Sequence, residues 1–226
     1  MSMELVNVNI GLLGCGTVGA SLCKLIDEQS DAIAERTGLK LAVVMVAVRD
    51  VSQSRDVPLD PSLFTNDSNS VIESPEVDVV VEVIGGIEPS KELILKALEL
   101  GKPVVTANKE LLAAHGGELY SLAKESEVDL LFEAAVAAAI PIMRPLRESL
   151  AGEPITRVMG IVNGTTNFIL TKMTEENMPF KNALEEAQKL GYAESDPTAD
   201  VEGHDAAAKA AIIASFAFGG QVTFSD

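Results

Sequence analysis

The chain has 226 residues, of which 47% are hydrophobic and 23% are charged, so it can bury a substantial core and is not expected to be disordered. Its 17 Lys and Arg residues against 34 Asp and Glu residues give a formal net charge of -17, which would repel nucleic acid and anionic membrane surfaces. We therefore expect neither as a partner. An anionic ligand would have to be held locally, by backbone amides and a few cations.

The two cysteines, Cys15 and Cys23, both fall in the first predicted strand-helix unit. Their spacing indicates neither a disulfide framework nor a Cys-x-x-Cys metal site, and reduced thiols are typical of a cytoplasmic protein. The N-terminal residues lack the basic and apolar regions of a signal peptide, and no apolar run is long enough to span a bilayer.

A glycine-rich turn follows the first predicted strand. Residues 6–13 form a mostly apolar run, the turn reads Gly-x-Gly-x-x-Gly, and helical spacing continues over residues 20–35. In this context Gly14 permits the tight turn, Gly16 lets the backbone approach a pyrophosphate, and Gly19 allows close packing of helix on strand. Amides at the helix N-terminus would receive the phosphates. The predicted dinucleotide-binding residues here are Gly14, Gly16, Thr17, Val18 and Gly19; a glycine turn without a ligand is the alternative.

The second predicted strand, residues 41–48, ends where dinucleotide-binding folds choose between cofactors. Arg49 is nearest the strand tip and could pair with the 2'-phosphate of NADP, whereas Asp50 could accept the 2'-hydroxyl of NAD. The sequence favours NADP over NAD at this position.

Further strands are predicted at residues 77–84, 103–106 and 129–132, after a surface excursion over residues 51–70. Helices are predicted at 91–100, capped by Ser90, and at 110–114, ending at His115 beside two glycines. Strands that alternate with helices predict an α/β fold with a Rossmann-type doubly wound parallel sheet. Gly85 opens a loop at a strand's carboxyl end, where ligands of such sheets lie. Lys109 stands at the start of a helix, where a cation is disfavoured, so a functional role is favoured over a solvated lysine.

A second, partial α+β domain is predicted after the sheet. The expected division is residues 1–135 for the dinucleotide-binding domain, 136–153 for a connecting and dimerisation segment with a helix over 141–150, and 154–226 for a substrate-binding catalytic domain. Residues 155–162 alternate as a strand does. The polar run Asn163-Gly164-Thr165-Thr166-Asn167 would orient a polar substrate or cap the next helix, and the sequence does not decide between these.

Residues 187–209 form an acidic loop that leads into a strongly apolar helix. Its five carboxylates are Glu194, Asp196, Asp200, Glu202 and Asp205. Asp205 and Lys209 are four residues apart, so on a helix they lie on one face within reach of each other. One interpretation of this pair is an ordinary solvated ion pair. Because the helix continues as AAIIASFAFGG, a lysine that borders a cavity is favoured.

The spacing of Ala187, Gly191, Asp196-Pro197, Asp200, Gly203, Asp205 and Lys209 resembles the signature of homoserine dehydrogenase, and the resemblance continues through IVNGTTNFIL, FEAAVAAAIPI, VVTANKELLA and GLLGCGTVG. It implies NAD(P)-dependent interconversion of L-homoserine and L-aspartate 4-semialdehyde, in threonine, methionine and isoleucine biosynthesis. The implied catalytic residues are Lys209, Asp205 and Lys109, and the implied substrate-binding residues are Glu194, Asp200 and Gly191. His204 is not fixed by the motif and is left without a role.

The resemblance also implies details of the cofactor and ion sites. Lys109 would lie close to the nicotinamide and Thr106 would line the cofactor cleft. A sodium ion would be bound by main-chain oxygens, although Ala137 and Ala139 replace glycines common in relatives. The residues implied for the ion are Glu133, Val136, Ala138 and Ile140.

Two rival functions are considered. An aspartate-semialdehyde dehydrogenase would need a cysteine nucleophile, and both cysteines belong to the glycine-turn region, so this function is rejected. The other rival is a catalytically impaired, NADP-binding or oligomerising fragment. Family members continue beyond the position of Asp226, so the second domain is expected to lack elements, and its open strand edges favour a homodimer or higher homo-oligomer.

Overall fold

One parallel sheet organises the first part of the molecule. The computed structural model of the chain describes residues 5–137 and 139–226. The strands are β1 (Val6–Leu13), β2 (Leu39–Ala47), β3 (Phe64–Thr65), β4 (Val79–Glu82), β5 (Val104–Thr106) and β6 (Leu130–Leu131). Their order is β3-β2-β1-β4-β5-β6, and all pairs are parallel. This is the order of a doubly wound dinucleotide-binding sheet, which reverses between β1 and β4. The predicted fold class is confirmed.

The helices of this part are α1 (Thr17–Thr37), α2 (Ser68–Glu73), α3 (Ser90–Glu99) and α4 (Lys109–Glu125). Helix α1 ends at Gly38, whose φ of 75° is the left-handed conformation that glycine adopts at helix ends. Apolar residues of α1 pack on the central strands, where Leu12, Val46 and Cys23 are almost fully buried. This core therefore lies between α1 and the strands β1, β2 and β4.

Two predictions of secondary structure in this part are wrong. Residues 51–70 are not merely a surface excursion, because they contain β3, which pairs with Val46 and Ala47 of β2. Two residues are too few to carry a periodic signal. The helix predicted to stop near His115 continues to Glu125; Gly116 is buried, and a Cβ there would lie 3.0 Å from the Tyr120 ring. This glycine makes room for an aromatic ring instead of ending the helix.

The chain divides into two compact units after Ala135. The helices of the second unit are α5 (Gly164–Glu175), α6 (Phe180–Lys189), α7 (Thr198–Val201) and α8 (His204–Ala217). A small core between α5 and α6 contains Ile169, Ala183 and Ala187. Within residues 139–226 the predicted helix over 141–150 is reduced to a short π-helix, Pro145–Ser149.

The strand prediction for residues 155–162 is wrong. Those residues pair with no strand among residues 5–137 and 139–226. Met159 and Ile161 are 81% and 76% exposed. The alternating pattern is present, but a strand also needs a hydrogen-bonded neighbour.

None of the described helices is long and apolar enough to cross a membrane.

Candidate active site

In the glycine turn after β1, Gly14 and Gly19 lie against neighbouring backbone, whereas Gly16 faces open space. Gly14 has a φ of 98°, and a Cβ there would lie 2.9 Å from the Val83 carbonyl oxygen. A Cβ on Gly19 would meet the Gly14 carbonyl oxygen at 2.3 Å. A Cβ on Gly16, by contrast, would meet no described atom within 4 Å. The turn is therefore packed on its inner side and open at Gly16.

Gly16 is also the N-cap of α1 and offers no side-chain cap. The first amides of α1, those of Thr17, Val18 and Gly19, precede the point where intrahelical hydrogen bonding begins. Thr17 and Val18 are exposed. Amides in this position fit a phosphate group.

At the tip of β2 the two candidate side chains differ in their local contacts. Asp50 accepts hydrogen bonds from the Ser52 hydroxyl at 2.6 Å and the Ser52 amide at 2.9 Å, and these bonds lower the pKa of its carboxyl group. Arg49 is exposed, and its guanidinium has no hydrogen-bond partner in the described part of the chain. Asp50 is thus used in a turn, and Arg49 is available to a ligand.

A buried carboxylate lies at the carboxyl end of β4. Glu82 is 0% exposed, and its Oε1 accepts hydrogen bonds from the amides of Ile84 at 2.8 Å and Gly85 at 3.2 Å. Oε1 also lies 3.1 Å from the Ser90 hydroxyl, and Oε2 accepts from the Thr106 hydroxyl at 2.6 Å. Ser90 therefore does not cap α3 as predicted. Its hydroxyl is buried against Glu82.

The same network continues to the start of α4. The Thr106 hydroxyl oxygen accepts from the Asn108 amide at 3.0 Å. Asn108 caps α4 by accepting from the Leu111 amide, and its Nδ2 donates to the Gly86 carbonyl at 2.6 Å. Lys109, the first residue of α4, is thereby fixed at its main chain beside the Gly85-Gly86 loop.

The two thiols of this unit are buried, Cys15 within the glycine turn and Cys23 in α1. Burial raises the pKa of Cys15, and burial, followed by the proximity of Cys15, raises the pKa of Cys23 to about 11. Both are therefore protonated at neutral pH, and neither is an activated nucleophile. This agrees with the rejection of a thioester-forming enzyme.

In the second unit, Asn163 brings three of the predicted site residues into one network. Its Nδ2 donates to Asp200 Oδ1 at 2.7 Å and to Asp205 Oδ2 at 2.9 Å. Its Oδ1 accepts from the amide and hydroxyl of Thr166, both at 2.8 Å, and so caps α5. The polar run at 163–167 thus provides a helix cap and also contacts the acidic residues.

Lys209 completes this network. Its Nζ donates to Asp205 Oδ2 at 2.7 Å and to the Val162 carbonyl at 2.7 Å. The side chains of Lys209 and Asp205 are 18% and 7% exposed. An ammonium group has three N–H donors. Within residues 139–226 two have acceptors, so the third is left for a ligand.

The remaining predicted residues are not joined to this cluster by any described hydrogen bond. Glu194 is exposed, and only its carbonyl is bonded, to Gln188. Asp196 bonds Thr198, which lowers the pKa of the Asp196 carboxyl. Gly191 has a φ of 78° just after α6. The His204 ring is exposed and lies 5.7 Å from that of Phe224.

For the predicted ion site, Ala138 lies outside the described residues. Ala137 has a φ of 59°, the left-handed region that glycine adopts most readily, and its carbonyl accepts from the Ile140 amide at 3.0 Å. Among the described residues no group of three or more His, Cys, Asp or Glu side chains could hold a metal.

Comparison with known proteins identifies the lineage. Residues 14–133 match the model of the homoserine dehydrogenase NAD binding domain, and residues 141–226 match that of homoserine dehydrogenase. The chain belongs to the homoserine dehydrogenase family. It is 56% identical over 219 residues to homoserine dehydrogenase of Corynebacterium glutamicum, covering 97% of this chain and 49% of the relative. The Bacillus subtilis homoserine dehydrogenase is 49% identical, with 97% and 51% covered.

Solved structures of the homoserine dehydrogenase family have the same fold. The enzyme from Thiobacillus denitrificans superposes with a TM-score of 0.88 at 42% identity, over 99% of this chain and 52% of that one. A hyperthermophilic archaeal homoserine dehydrogenase in complex with NADPH gives 0.81 at 33% identity, over 96% and 71%. The chain spans about half the length of the curated relatives it matches.

Sequence reasoning missed two residues, Glu82 and Asn108, and left open whether Asn163 caps a helix or orients a substrate. A signal existed for each. Glu82 is a lone charge in an apolar strand, and both asparagines immediately precede a helix, where Asn is a preferred cap. What the sequence did not reveal is which distant groups they bond.

Proposed function

We propose that this chain carries the dinucleotide-binding and catalytic elements of a homoserine dehydrogenase, an NAD(P)-dependent oxidoreductase that interconverts L-homoserine and L-aspartate 4-semialdehyde. In this assignment residues 1–135 bind the cofactor, 136–153 connect and dimerise, and 154–226 bind the substrate. Family membership and the two matched domain models support the assignment.

The observation that carries the proposal is the setting of Lys209. The lysine is oriented by Asp205 and the Val162 carbonyl, and one N–H has no acceptor in the described part of the second unit. A bound nicotinamide would supply the hydride to the aldehyde carbon. Lys209 would give its proton to the carbonyl oxygen, which becomes the hydroxyl of homoserine, and would take that proton back in the reverse direction.

The carboxylates would bind the amino group of the substrate. Asp200 is half-buried, and Asn163 holds one of its oxygens, so the other can accept a charge-assisted hydrogen bond from an ammonium group. We assign Glu194 to the same ammonium group, Gly191 to contact with cofactor or substrate, and Lys109 to proton transfer or polarisation of the carbonyl. Asp205 is assigned to orient Lys209.

For the cofactor we propose NADP over NAD. The support is that Arg49 is exposed with no described partner, whereas Asp50 is bonded to Ser52. The glycine turn, Gly85 and Thr106 would bind the rest of the dinucleotide.

The substitution Arg49→Ala should weaken NADPH binding about tenfold or more and leave NADH binding within about twofold, because only NADP carries the 2'-phosphate. Equal losses for both would contradict the assignment.

Three other properties of the family are proposed for this chain. A sodium ion would be bound by main-chain oxygens of Glu133, Val136, Ala138 and Ile140. A homodimer or higher homo-oligomer and a cytoplasmic location are also proposed. Sodium dependence of activity and the solution mass would test the first two.

The deciding experiment is homoserine-dependent reduction of NADP and of NAD by the 226-residue chain, measured by absorbance of the reduced nicotinamide. Activity that requires L-homoserine and is lost in Lys209→Ala supports the proposal. Binding of NADPH without turnover would support the second candidate, a catalytically impaired cofactor-binding or oligomerising fragment. That candidate is favoured by residues 155–162, which pair with no described strand and of which Met159 and Ile161 are largely exposed.

A further inference from the structure

We propose that Glu82 is a positioning residue for the nicotinamide half of the dinucleotide cleft. This inference rests on the cofactor site proposed above. It assigns a role to a buried ionisable group that the proposed chemistry does not use.

Glu82 is buried without a cation beside it. Its side chain is 0% exposed, and among the described residues no Lys, Arg or His pairs with it. A buried carboxylate is costly unless its lone pairs are satisfied. Here four neutral donors lie within hydrogen-bonding distance of the carboxylate: the amides of Ile84 and Gly85 and the hydroxyls of Thr106 and Ser90. The Ser90 hydroxyl also lies 3.2 Å from the Gly85 carbonyl oxygen, a second acceptor for its single proton.

Those four donors belong to separate segments of the first unit. The two amides are the first turn of the loop after β4, and Ser90 is the first residue of α3. Thr106 is the last residue of β5, and its hydroxyl oxygen holds the Asn108 amide at the entrance to α4. One carboxylate thus ties together the loop at Gly85, the start of α3 and the segment that presents Lys109.

All of these segments lie in one half of the sheet. A doubly wound sheet consists of two mononucleotide-binding halves that meet where the strand order reverses. The glycine turn and Arg49 belong to the β1–β3 half, which takes the adenosine side. Glu82 and all of its partners belong to the β4–β6 half, which takes the nicotinamide side.

A selective binding defect follows. Glu82→Met keeps side-chain length but removes the acceptor of the Ile84 and Gly85 amides and of the Thr106 hydroxyl. The Ser90 hydroxyl would keep only the Gly85 carbonyl as an acceptor. The Gly85 loop and the Thr106–Lys109 segment should therefore shift. Glu82→Gln keeps one carbonyl oxygen for the loop amides and turns an NH2 group toward Thr106, whose hydroxyl proton then lacks its acceptor.

The experiment compares two ligands on the 226-residue chain. NADPH, followed by its own fluorescence, occupies both halves; 2',5'-ADP, followed by calorimetry, occupies only the adenosine half. We expect Glu82→Met to weaken NADPH binding about tenfold or more and Glu82→Gln about threefold, with 2',5'-ADP affinity within about twofold of the parent in both. Glu99→Gln, an exposed change of the same chemistry on α3, should alter neither affinity.

The outcomes separate the inference from the proposed function. If the parent binds neither ligand, the proposed dinucleotide site is wrong and the inference falls with it. If the parent binds both and the Glu82 variants bind NADPH as tightly as the parent, the inference alone is overturned. Parallel loss of both ligands would assign Glu82 a general structural role and would also overturn it. Should Glu82→Met fail to fold, the ratio of the two affinities in Glu82→Gln decides.

Discussion

The buried polar networks around Glu82 and around Asn163 differ in how they end. The network around Glu82 is closed, because each of its contacts is a main-chain amide or a hydroxyl that has no further free donor toward solvent. The network around Asn163 is open, because it ends at the Lys209 ammonium, which is 18% exposed and has one N–H without a described acceptor. A closed network fixes the backbone; an open one presents a group that can exchange a proton.

The largest expected effect is at the open end. Lys209→Ala should reduce homoserine-dependent NADP reduction by about 10²–10⁴-fold, the usual range for loss of a positioned proton donor, and NADPH affinity should change little. The exposed Lys189→Ala is the matched control and should keep parental turnover. If Lys209→Ala keeps the parental activity, the network around Asn163 does not present a catalytic proton donor, and the proposed difference in function between the two networks is wrong.

The next effect tests the centre of the open network. Asn163→Asp keeps an acceptor for the α5 cap but puts a third carboxylate where Nδ2 contacts Asp200 and Asp205 at 2.7 Å and 2.9 Å. We expect a loss of about 3 kcal/mol of unfolding free energy at pH 7. The measurement is chemical denaturation across pH.

The pH dependence of Asn163→Asp has a definite sign. Crowded carboxylates have raised pKa values in the folded state, so the folded state binds more protons, and the deficit should shrink as pH falls from 7 toward about 4. Asn163→Ser keeps the cap without a charge and should lack this recovery. A deficit that is independent of pH in Asn163→Asp would mean that charge crowding is not the cause.

A smaller effect separates packing from ligand contact in the first unit. Gly19→Ala places a Cβ 2.3 Å from the Gly14 carbonyl oxygen, so it should cost about 1–3 kcal/mol of stability. Gly16→Ala meets no described atom within 4 Å and should leave stability within about 0.5 kcal/mol. If the backbone at Gly16 approaches the pyrophosphate, NADPH affinity in Gly16→Ala falls about tenfold. Unchanged affinity there would argue against that approach.

The smallest effect concerns the buried thiols. Because the pKa of Cys23 rises from 9.0 to about 11 on folding, the folded state retains a proton that the unfolded state loses between pH 9 and 11. Stability should therefore fall with rising pH in this window, by on the order of 1–2 kcal/mol. In Cys23→Ala this contribution is absent, so its deficit relative to the parent should narrow from pH 9 to pH 11. A constant gap would show that Cys23 does not titrate there.

Several features were determined by the sequence alone. An apolar run, a glycine turn and a helix are local signals, and they correctly predicted the parallel sheet, the tight turn at Gly14 and the close packing at Gly19. The pairing of Asp205 with Lys209 was also predictable, because helical geometry alone brings residues four apart together.

Other features were decided only by the tertiary structure. Strand β3 forms because β2 offers an edge, and residues 155–162 have no such neighbour among the described residues, so neither outcome was visible in local pattern. The bonds from Glu82 to Thr106 and from Asn163 to Asp205 join residues 24 and 42 positions apart. A sequence shows that a polar residue will be buried and must find partners, but only the packed chain determines which groups come within hydrogen-bonding distance.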